Sequence, residues 1–282
     1  MKIMVTGAGG QLGLDMCRRL SAAGLDYYGV DMRDFDITRQ DQVMKAVTTY
    51  LPDAIIHCAA YTAVDKAETE PEKCAAVNAQ GTLHMVRAAQ EVDAKLMYIS
   101  TDYVFSGEGT TPFEVNDPYG PKNVYGVTKA QGEEAVKSLL RKHFILRASW
   151  VFGHFGKNFV DTMLQKGREN DTLRVVSDQV GSPTYTVDLV ELMMEMIQSH
   201  QYGVYHATNE GFCSWADFAE EIMRQAGISC RIERVSSEAY AALAKRPKNS
   251  RLSKNSLDKN GFRRLPAWQD ALRRYLASAE RM

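Results

Sequence analysis

The chain opens on a strand, a glycine-rich turn and a helix, and that order restricts the fold more than any later stretch. Lys2-Ile3-Met4-Val5 is a short apolar run, and Thr6-Gly7-Ala8-Gly9-Gly10-Gln11-Leu12-Gly13 is the turn. Leu14, Cys17, Leu20 and Ala23 then recur at helical spacing until Gly24 stops them. Gly7, Gly10 and Gly13 let the backbone turn tightly, approach a pyrophosphate and pack helix on strand, while free N–H groups at the helix start face the anion. The second strand, Tyr27-Tyr28-Gly29-Val30, ends in Asp31, about where a carboxylate accepts hydrogen bonds from an adenosine ribose. That charge repels a 2′-phosphate and favours NADH. Arg33, two residues on, offsets it and admits NADPH, so both cofactors stay open.

The alternation continues. Asp36-Ile37-Thr38 leads to a helix that Thr38 and Asp41 are expected to cap and that ends near Tyr50-Leu51-Pro52. A third strand, Ala54-Ile55-Ile56-His57-Cys58, runs into Ala59-Ala60-Tyr61-Thr62, small enough at its start for a cofactor to lie flat. A long helix, about Glu72 to Val92, precedes a fourth strand at Leu96-Met97-Tyr98-Ile99, and Phe144-Ile145-Leu146-Arg147 is a further one. Strands alternating with helices predict an α/β fold, a doubly wound parallel sheet with ligands outside the carboxyl ends of the strands. Gly10, Asp31, Thr62, Thr101 and Trp150 all fall at such ends.

Beyond Trp150 the pattern loosens: helices near Asn158–Arg168 and Val187–Gln198, short strands at Leu173–Val176 and Val204–His206, and a capping box at Ser214-Trp215-Ala216-Asp217. The expected division is a dinucleotide-binding part over 1–148 plus about 173–207. A smaller C-terminal α+β substrate region takes about 149–172 and 208–282.

The chemistry concentrates in 95–129. The fourth strand ends in Ser100-Thr101, and the following helix carries Tyr125 and Lys129, four apart and therefore on one face. Only Tyr125, of the 13 tyrosines, has a lysine four residues later. An ammonium roughly 4 to 5 Å from a phenol, at an effective dielectric of about 20, is worth about 3 to 4 kcal/mol. That would lower the phenol's pKa by about two to three units from its usual value near 10. The phenol is then poised as general acid for a carbonyl accepting a hydride, with Thr101 holding the carbonyl oxygen.

Thr-Gly-x-x-Gly-x-x-Gly, the Ser-Thr strand end and Tyr-x-x-x-Lys together resemble the extended short-chain dehydrogenase/reductases, whose dinucleotide-binding part is Rossmann-type. Within that superfamily, Asp36-Ile37-Thr38, the block from Ala59 to Glu68, Ser100 to Phe105, Ser149 to Gly153, Asp178-Gln179-x-Gly181-x-Pro183-Thr184 and Arg246-Pro247-x-Asn249-Ser250 resemble the dTDP-4-dehydrorhamnose reductase family. The blocks cover nearly the whole chain in family order. The resemblance implies a cytoplasmic enzyme that reduces the C4 ketone of a dTDP-linked deoxy sugar with NADPH or NADH to give dTDP-L-rhamnose. Tyr125 would be the proton donor, Lys129 would orient the nicotinamide ribose, and Thr101 would tune the tyrosine. Gly10, Gln11, Leu12, Asp31, Asp36, Ile37, Ala60, Tyr61 and Thr62 match the cofactor groove. Asp102 and Trp150 match substrate contacts; Tyr103 and Asn249 stand in the same matching blocks and join the expected substrate set. Arg246, with Lys245, Lys248 and Arg251, makes a basic run expected to meet the substrate's diphosphate. Some members dimerise around Mg²⁺ held by glutamates. Asp15 and Asp188 stand at those positions here, so no required metal is expected, and the protein is expected to be a monomer or a homodimer.

Charge and cysteine usage narrow the alternatives. A net charge of −1 lacks the positive excess of a nucleic-acid binder. No apolar run is long enough for a bilayer, and no basic segment followed by an apolar stretch marks a secretory signal. Five scattered cysteines without C-x-x-C read as reduced thiols, six histidines lack metal-ligand spacing, and His57 reads as a satisfied core residue. The rivals are a sugar-nucleotide dehydratase or epimerase and a non-catalytic regulatory subunit similar to the β subunit of methionine adenosyltransferase. Tyr103, where similar dehydratases carry a glutamate, argues against the first. Intact Thr101, Tyr125 and Lys129 argue against the second.

Overall fold

The computed structural model describes residues 1–239 and 243–278. Its centre is a six-stranded parallel sheet. The elements, in chain order, are β1 (Ile3–Thr6), α1 (Gln11–Ala22), β2 (Tyr27–Val30), α2 (Gln40–Tyr50), β3 (Ala54–His57), α3 (Thr82–Glu91), β4 (Lys95–Thr101), α4 (Val124–Leu139), β5 (His143–Ala148), α5 (Phe159–Glu169), β6 (Thr172–Val176), α6 (Thr186–Gln198), β7 (Gly203–His206), α7 (Trp215–Ala226), β8 (Arg231–Val235) and α8 (Trp268–Ala277). The sheet runs β2-β1-β3-β4-β5-β7, every pairing parallel.

Parallel strands covered on both faces must be apolar at successive positions rather than at alternate ones, and these are. Ile3, Val5, Ile56, Met97, Phe144 and Leu146 pack on one face against Met16 and Leu20 of α1 and Leu189 to Ile197 of α6. Met4, Ile55, Leu96, Tyr98 and Ile145 pack on the other against Val43 and Val47 of α2, Met85 to Ala89 of α3 and Val136 of α4. The doubly wound sheet predicted from sequence is therefore the observed one. Among the described residues no helix is long and apolar enough to cross a membrane.

Three expectations need correction. The strand at Leu173–Val176 does not join the main sheet. As β6 it pairs with β8, residue for residue from Thr172 with Arg231 to Val176 with Val235. Val175 belongs to a third core with Phe152, Phe218, Ile222, Trp268, Leu272 and Tyr275. The chain thus returns to the dinucleotide-binding sheet only at α6, not at residue 173. Thr38 does not cap α2: the helix begins at Gln40 with no side-chain cap, and Asp36 Oδ1 instead accepts from Thr38 N at 2.9 Å and Thr38 Oγ1 at 2.8 Å. The helix expected over Glu72–Val92 runs from Pro71 to Glu91, but with a π-helical stretch, Ala76–Gly81, inside it. Such a widened turn often marks a functional site, and Asn78 within it reaches across to the strand-end loop at Tyr61.

Candidate active site

The glycine-rich turn is held by contact rather than by flexibility alone. A Cβ on Gly13 would sit 2.1 Å from Gly7 O, so the first turn of α1 lies directly on the backbone it follows. Helix α1 starts without a side-chain cap or an acidic residue in its first turn, which leaves its N–H groups and partial positive charge facing outward. At the end of β2, Asp31 is folded back by its own turn: its N–H donates to Asp34 Oδ2 at 2.7 Å, and its Oδ1 accepts from Met32 N at 2.7 Å. Asn78 clamps Tyr61 from behind, accepting from its N–H at 2.7 Å and donating to its carbonyl at 3.1 Å.

These strand ends border one cavity of about 1070 Å³. Every residue assigned to the cofactor groove lines it: Gly7, Gly10, Gln11, Leu12, Gly13, Asp31, Asp36, Ile37, Ala60, Tyr61, Thr62, Tyr125 and Lys129. Thr101, Asp102, Tyr103 and Trp150, from the expected substrate set, line it too.

Helix α4 approaches the turn that follows β4 closely because Gly126 has no side chain; a Cβ there would be 2.3 Å from Tyr103 O. Asn123 caps the helix by accepting from Gly126 N at 2.8 Å. This brings the half-buried Tyr125 to the buried Thr101. The Tyr103 ring stands edge-on to Tyr125, centroids 5.6 Å apart. Thr101 Oγ1 donates to Asp102 Oδ1 at 3.1 Å.

The electrostatics differ from the expected lowering of the phenol by Lys129. Burial holds the Tyr125 phenol above its ordinary pKa; hydrogen bonding with Thr101 opposes this, and the charges of Asp102 and Cys74 reinforce it. Lys129 does not aim at the phenol. Its Nζ donates to the Ile99 carbonyl at 2.6 Å and stands 3.9 Å from the Tyr98 ring centroid. Burial lowers it to about 7, against the opposing charges of Glu133, Cys58 and Cys74. Burial likewise raises Asp102 to about 6, with the Ser250 and Thr101 hydroxyls offsetting part of the cost. His57 is a core residue, lowered to about 3 by burial, its ring 2.7 Å from Thr6 Oγ1 and 3.2 Å from Thr82 Oγ1.

Two expected substrate residues lie elsewhere. Arg246 does not border the cavity, and its Nη2 donates to Asp65 Oδ2 at 2.7 Å. Asn249 is buried as a strut, donating to the Glu108 and Thr111 carbonyls at 3.2 and 2.9 Å. Of the rest of the basic run, Lys248 pairs with Glu238 at 2.9 Å, and the Lys245 carbonyl accepts from Asn123 Nδ2 at 2.9 Å. The block thus braces the start of α4. Asp15 accepts from Thr186 Oγ1, and Asp188 accepts from Arg274 Nη2 at 2.7 Å.

Sequence reasoning missed Trp215 and Lys157, which also line the cavity. Trp215 stacks on Trp150 at 3.7 Å between centroids, and Trp150 itself adopts φ +50°, a strained value for a bulky residue. The capping box around Trp215 announced a helix start but nothing about the face its indole takes; no sequence signal marks Lys157.

A doubly wound parallel sheet with a glycine turn at its first strand end, and a Tyr-x-x-x-Lys helix against a threonine-terminated strand, defines the extended short-chain dehydrogenase/reductase class. Residues 1–281 match the family model described as RmlD substrate binding domain. The chain is 42% identical over 275 residues to the spore coat polysaccharide biosynthesis protein SpsK of Bacillus subtilis, covering 98% of this chain and 96% of that one. It is 38% identical over 290 residues to the dTDP-4-dehydrorhamnose reductase of Escherichia coli, covering 98% and 97%. The crystal structure of dTDP-4-dehydrorhamnose reductase from Bacillus anthracis in complex with NADP superimposes with a TM-score of 0.95 at 43% identity, covering 97% and 98%. The chain belongs to the dTDP-4-dehydrorhamnose reductase family, a family of oxidoreductases.

Proposed function

We propose that this chain reduces the C4 ketone of dTDP-4-dehydro-β-L-rhamnose to dTDP-L-rhamnose, using NADPH or NADH. The observation that carries the reading is the meeting of Thr101 and Tyr125 in the same cavity as the glycine turn and Asp31. The groove suits a dinucleotide: an uncapped helix start for the pyrophosphate, a carboxylate at the second strand end for the ribose, and small residues at the third.

The dihydronicotinamide, when bound, supplies the hydride. The residues of the chain do the rest. Thr101 hydrogen-bonds the carbonyl oxygen and shares its developing charge. Tyr125 gives that oxygen its proton; burial keeps the phenol protonated, the form a donor needs before charge builds on the substrate. Lys129 stands one helical turn away to orient the nicotinamide ribose. Trp150 and Trp215 wall the cavity with a stacked indole pair that suits the apolar face of a deoxy sugar.

The test is turnover: purified protein, dTDP-4-keto-6-deoxy sugar and each reduced nicotinamide, followed by nicotinamide absorbance and by mass of the product. Oxidation of the cofactor matched by dTDP-L-rhamnose supports the reading. A protein that consumes no cofactor, yet isolates with a stoichiometric synthetase partner, would favour a regulatory role instead.

A further inference from the structure

The helix row that carries Tyr125 and Lys129 has a third member. A spacing of four puts Glu133 next on the same face, and its side chain is fully buried (0% exposed). Glu133 Oε1 accepts from Ser100 Oγ at 2.5 Å and from Arg147 Nε at 2.9 Å. Its Oε2 accepts from Arg147 Nη2 at 2.6 Å and from Tyr119 Oη at 2.7 Å. Arg147 Nη1 donates to the Val115 carbonyl at 3.0 Å and lies 3.4 Å from His206 Nε2. The Glu133–Arg147 pair thus ties together β4, α4, β5, β7 and the loop before α4.

Glu133 and Arg147 do not border the cavity. A buried ion pair is an expensive way to hold a core, since apolar residues of similar volume often replace such pairs without loss. Its position gives it another use. Side chains alternate along a strand, so Tyr98 and Ser100 share the face of β4 opposite to that of Ile99 and Thr101. The strand therefore meets α4 at successive points: the Tyr98 ring and Ile99 carbonyl under the Lys129 ammonium, Ser100 on Glu133, and Thr101 at Tyr125. Around Lys129 the other ionisable neighbours are Cys58, Cys74 and His57; around Glu133 they are Arg147, Tyr119, Lys137 and Tyr98.

We propose that Glu133 is a positioning residue of the reductase site: through Ser100 it fixes the end of β4 from behind, and so sets Thr101 against Tyr125 and the Ile99 carbonyl against the Lys129 ammonium. This rests on the function proposed above. Glu133 reaches neither sugar nor cofactor; it acts through Ser100 and along the helix.

Removing the carboxylate alone strands a buried guanidinium and risks unfolding. The informative variants are therefore Ser100→Ala, which deletes one hydrogen bond, and the double variant Glu133→Met with Arg147→Met, which deletes the whole pair. Both are expected to melt near the wild-type temperature and to bind NADPH normally. Their kcat should fall by about ten- to a hundredfold with KM for the nucleotide sugar little changed, the signature of a misplaced reacting group. Ser100→Thr, which keeps the hydroxyl, should restore most of the rate. Wild-type kcat in the folded double variant or in Ser100→Ala would overturn the positioning role while leaving the reductase reading intact. A wild-type protein inactive in the same assay would overturn both.

Discussion

The Lys129 ammonium donates to the main-chain carbonyl of Ile99 at 2.6 Å, and among the described residues it forms no ion pair with a carboxylate. A buried cation held by a carbonyl and by the face of the Tyr98 ring is a cation under strain of desolvation, which is why it titrates at about 7 rather than 10.5. The free enzyme carries the charge below that pH and loses it above.

If the charge is needed, kcat/KM should fall as pH rises through about 7, because that parameter follows the free enzyme's ionisations. Lys129→Arg keeps its charge throughout, so its alkaline fall should move upward by about two units or more, at a lower plateau. Profiles of kcat/KM for the two proteins decide this. An alkaline limb that stays in place in the arginine variant belongs to another group.

Tyr125→Phe removes one oxygen and leaves the ring to pack. The expected loss in kcat is about a hundred- to ten-thousandfold, the usual worth of a positioned proton donor. NADPH affinity, measured by fluorescence titration, should change little. Near-normal turnover would take the proton from another group, with Asp102 the first to examine.

What the sequence made legible was whatever follows from spacing along one element. The four-residue step from Tyr125 to Lys129 and the fall of Gly10, Asp31, Thr62 and Thr101 at strand ends are local facts, and the fold only had to bring those ends to one edge. What was not legible depended on partners far away in the chain. Arg246 looked like a phosphate ligand because nothing near it in sequence is acidic; its guanidinium pairs with Asp65, 181 residues away in the chain. The strand at 172–176 was visible as a strand, but periodicity does not say which sheet it joins. The pKa of Tyr125 was misjudged for a related reason: a Coulomb estimate from spacing assumed the ammonium faces the phenol, whereas burial dominates and the ammonium faces Ile99.

Asp31 is expected to bias the choice of cofactor by charge. Its carboxylate lies over the glycine turn, where a Cβ on Gly9 would meet Oδ2 at 2.3 Å, so a 2′-phosphate brought there meets a fixed negative charge. Asp31→Ala should therefore raise the ratio of kcat/KM for NADPH over NADH by about tenfold, equivalent to about 1.4 kcal/mol. An unchanged ratio would mean that Asp31 does not read the ribose.

Asp102 joins stability to function with opposite signs. It is only 2% exposed, and burial raises it from 3.8 to about 6. A carboxylate whose folded pKa is raised binds its proton more tightly in the folded state between those values, so the protein loses stability as pH rises from 3.8 to about 6 and carries the full penalty above. About two units correspond to about 3 kcal/mol at most. Asp102→Asn removes the charge and keeps the shape, so the variant should melt a few degrees higher than wild type at pH 7 and show little difference near pH 4. The same substitution should raise KM for the nucleotide sugar, since Asp102 borders the cavity beside Thr101 and one of its oxygens, Oδ2, lacks a well-formed hydrogen bond in this structure. Stabilisation at pH 7 with weaker substrate binding is the outcome expected of a charge kept for its ligand rather than for the fold. A variant no more stable at pH 7 than at pH 4, relative to wild type, would show that the buried carboxylate is already neutralised by its surroundings.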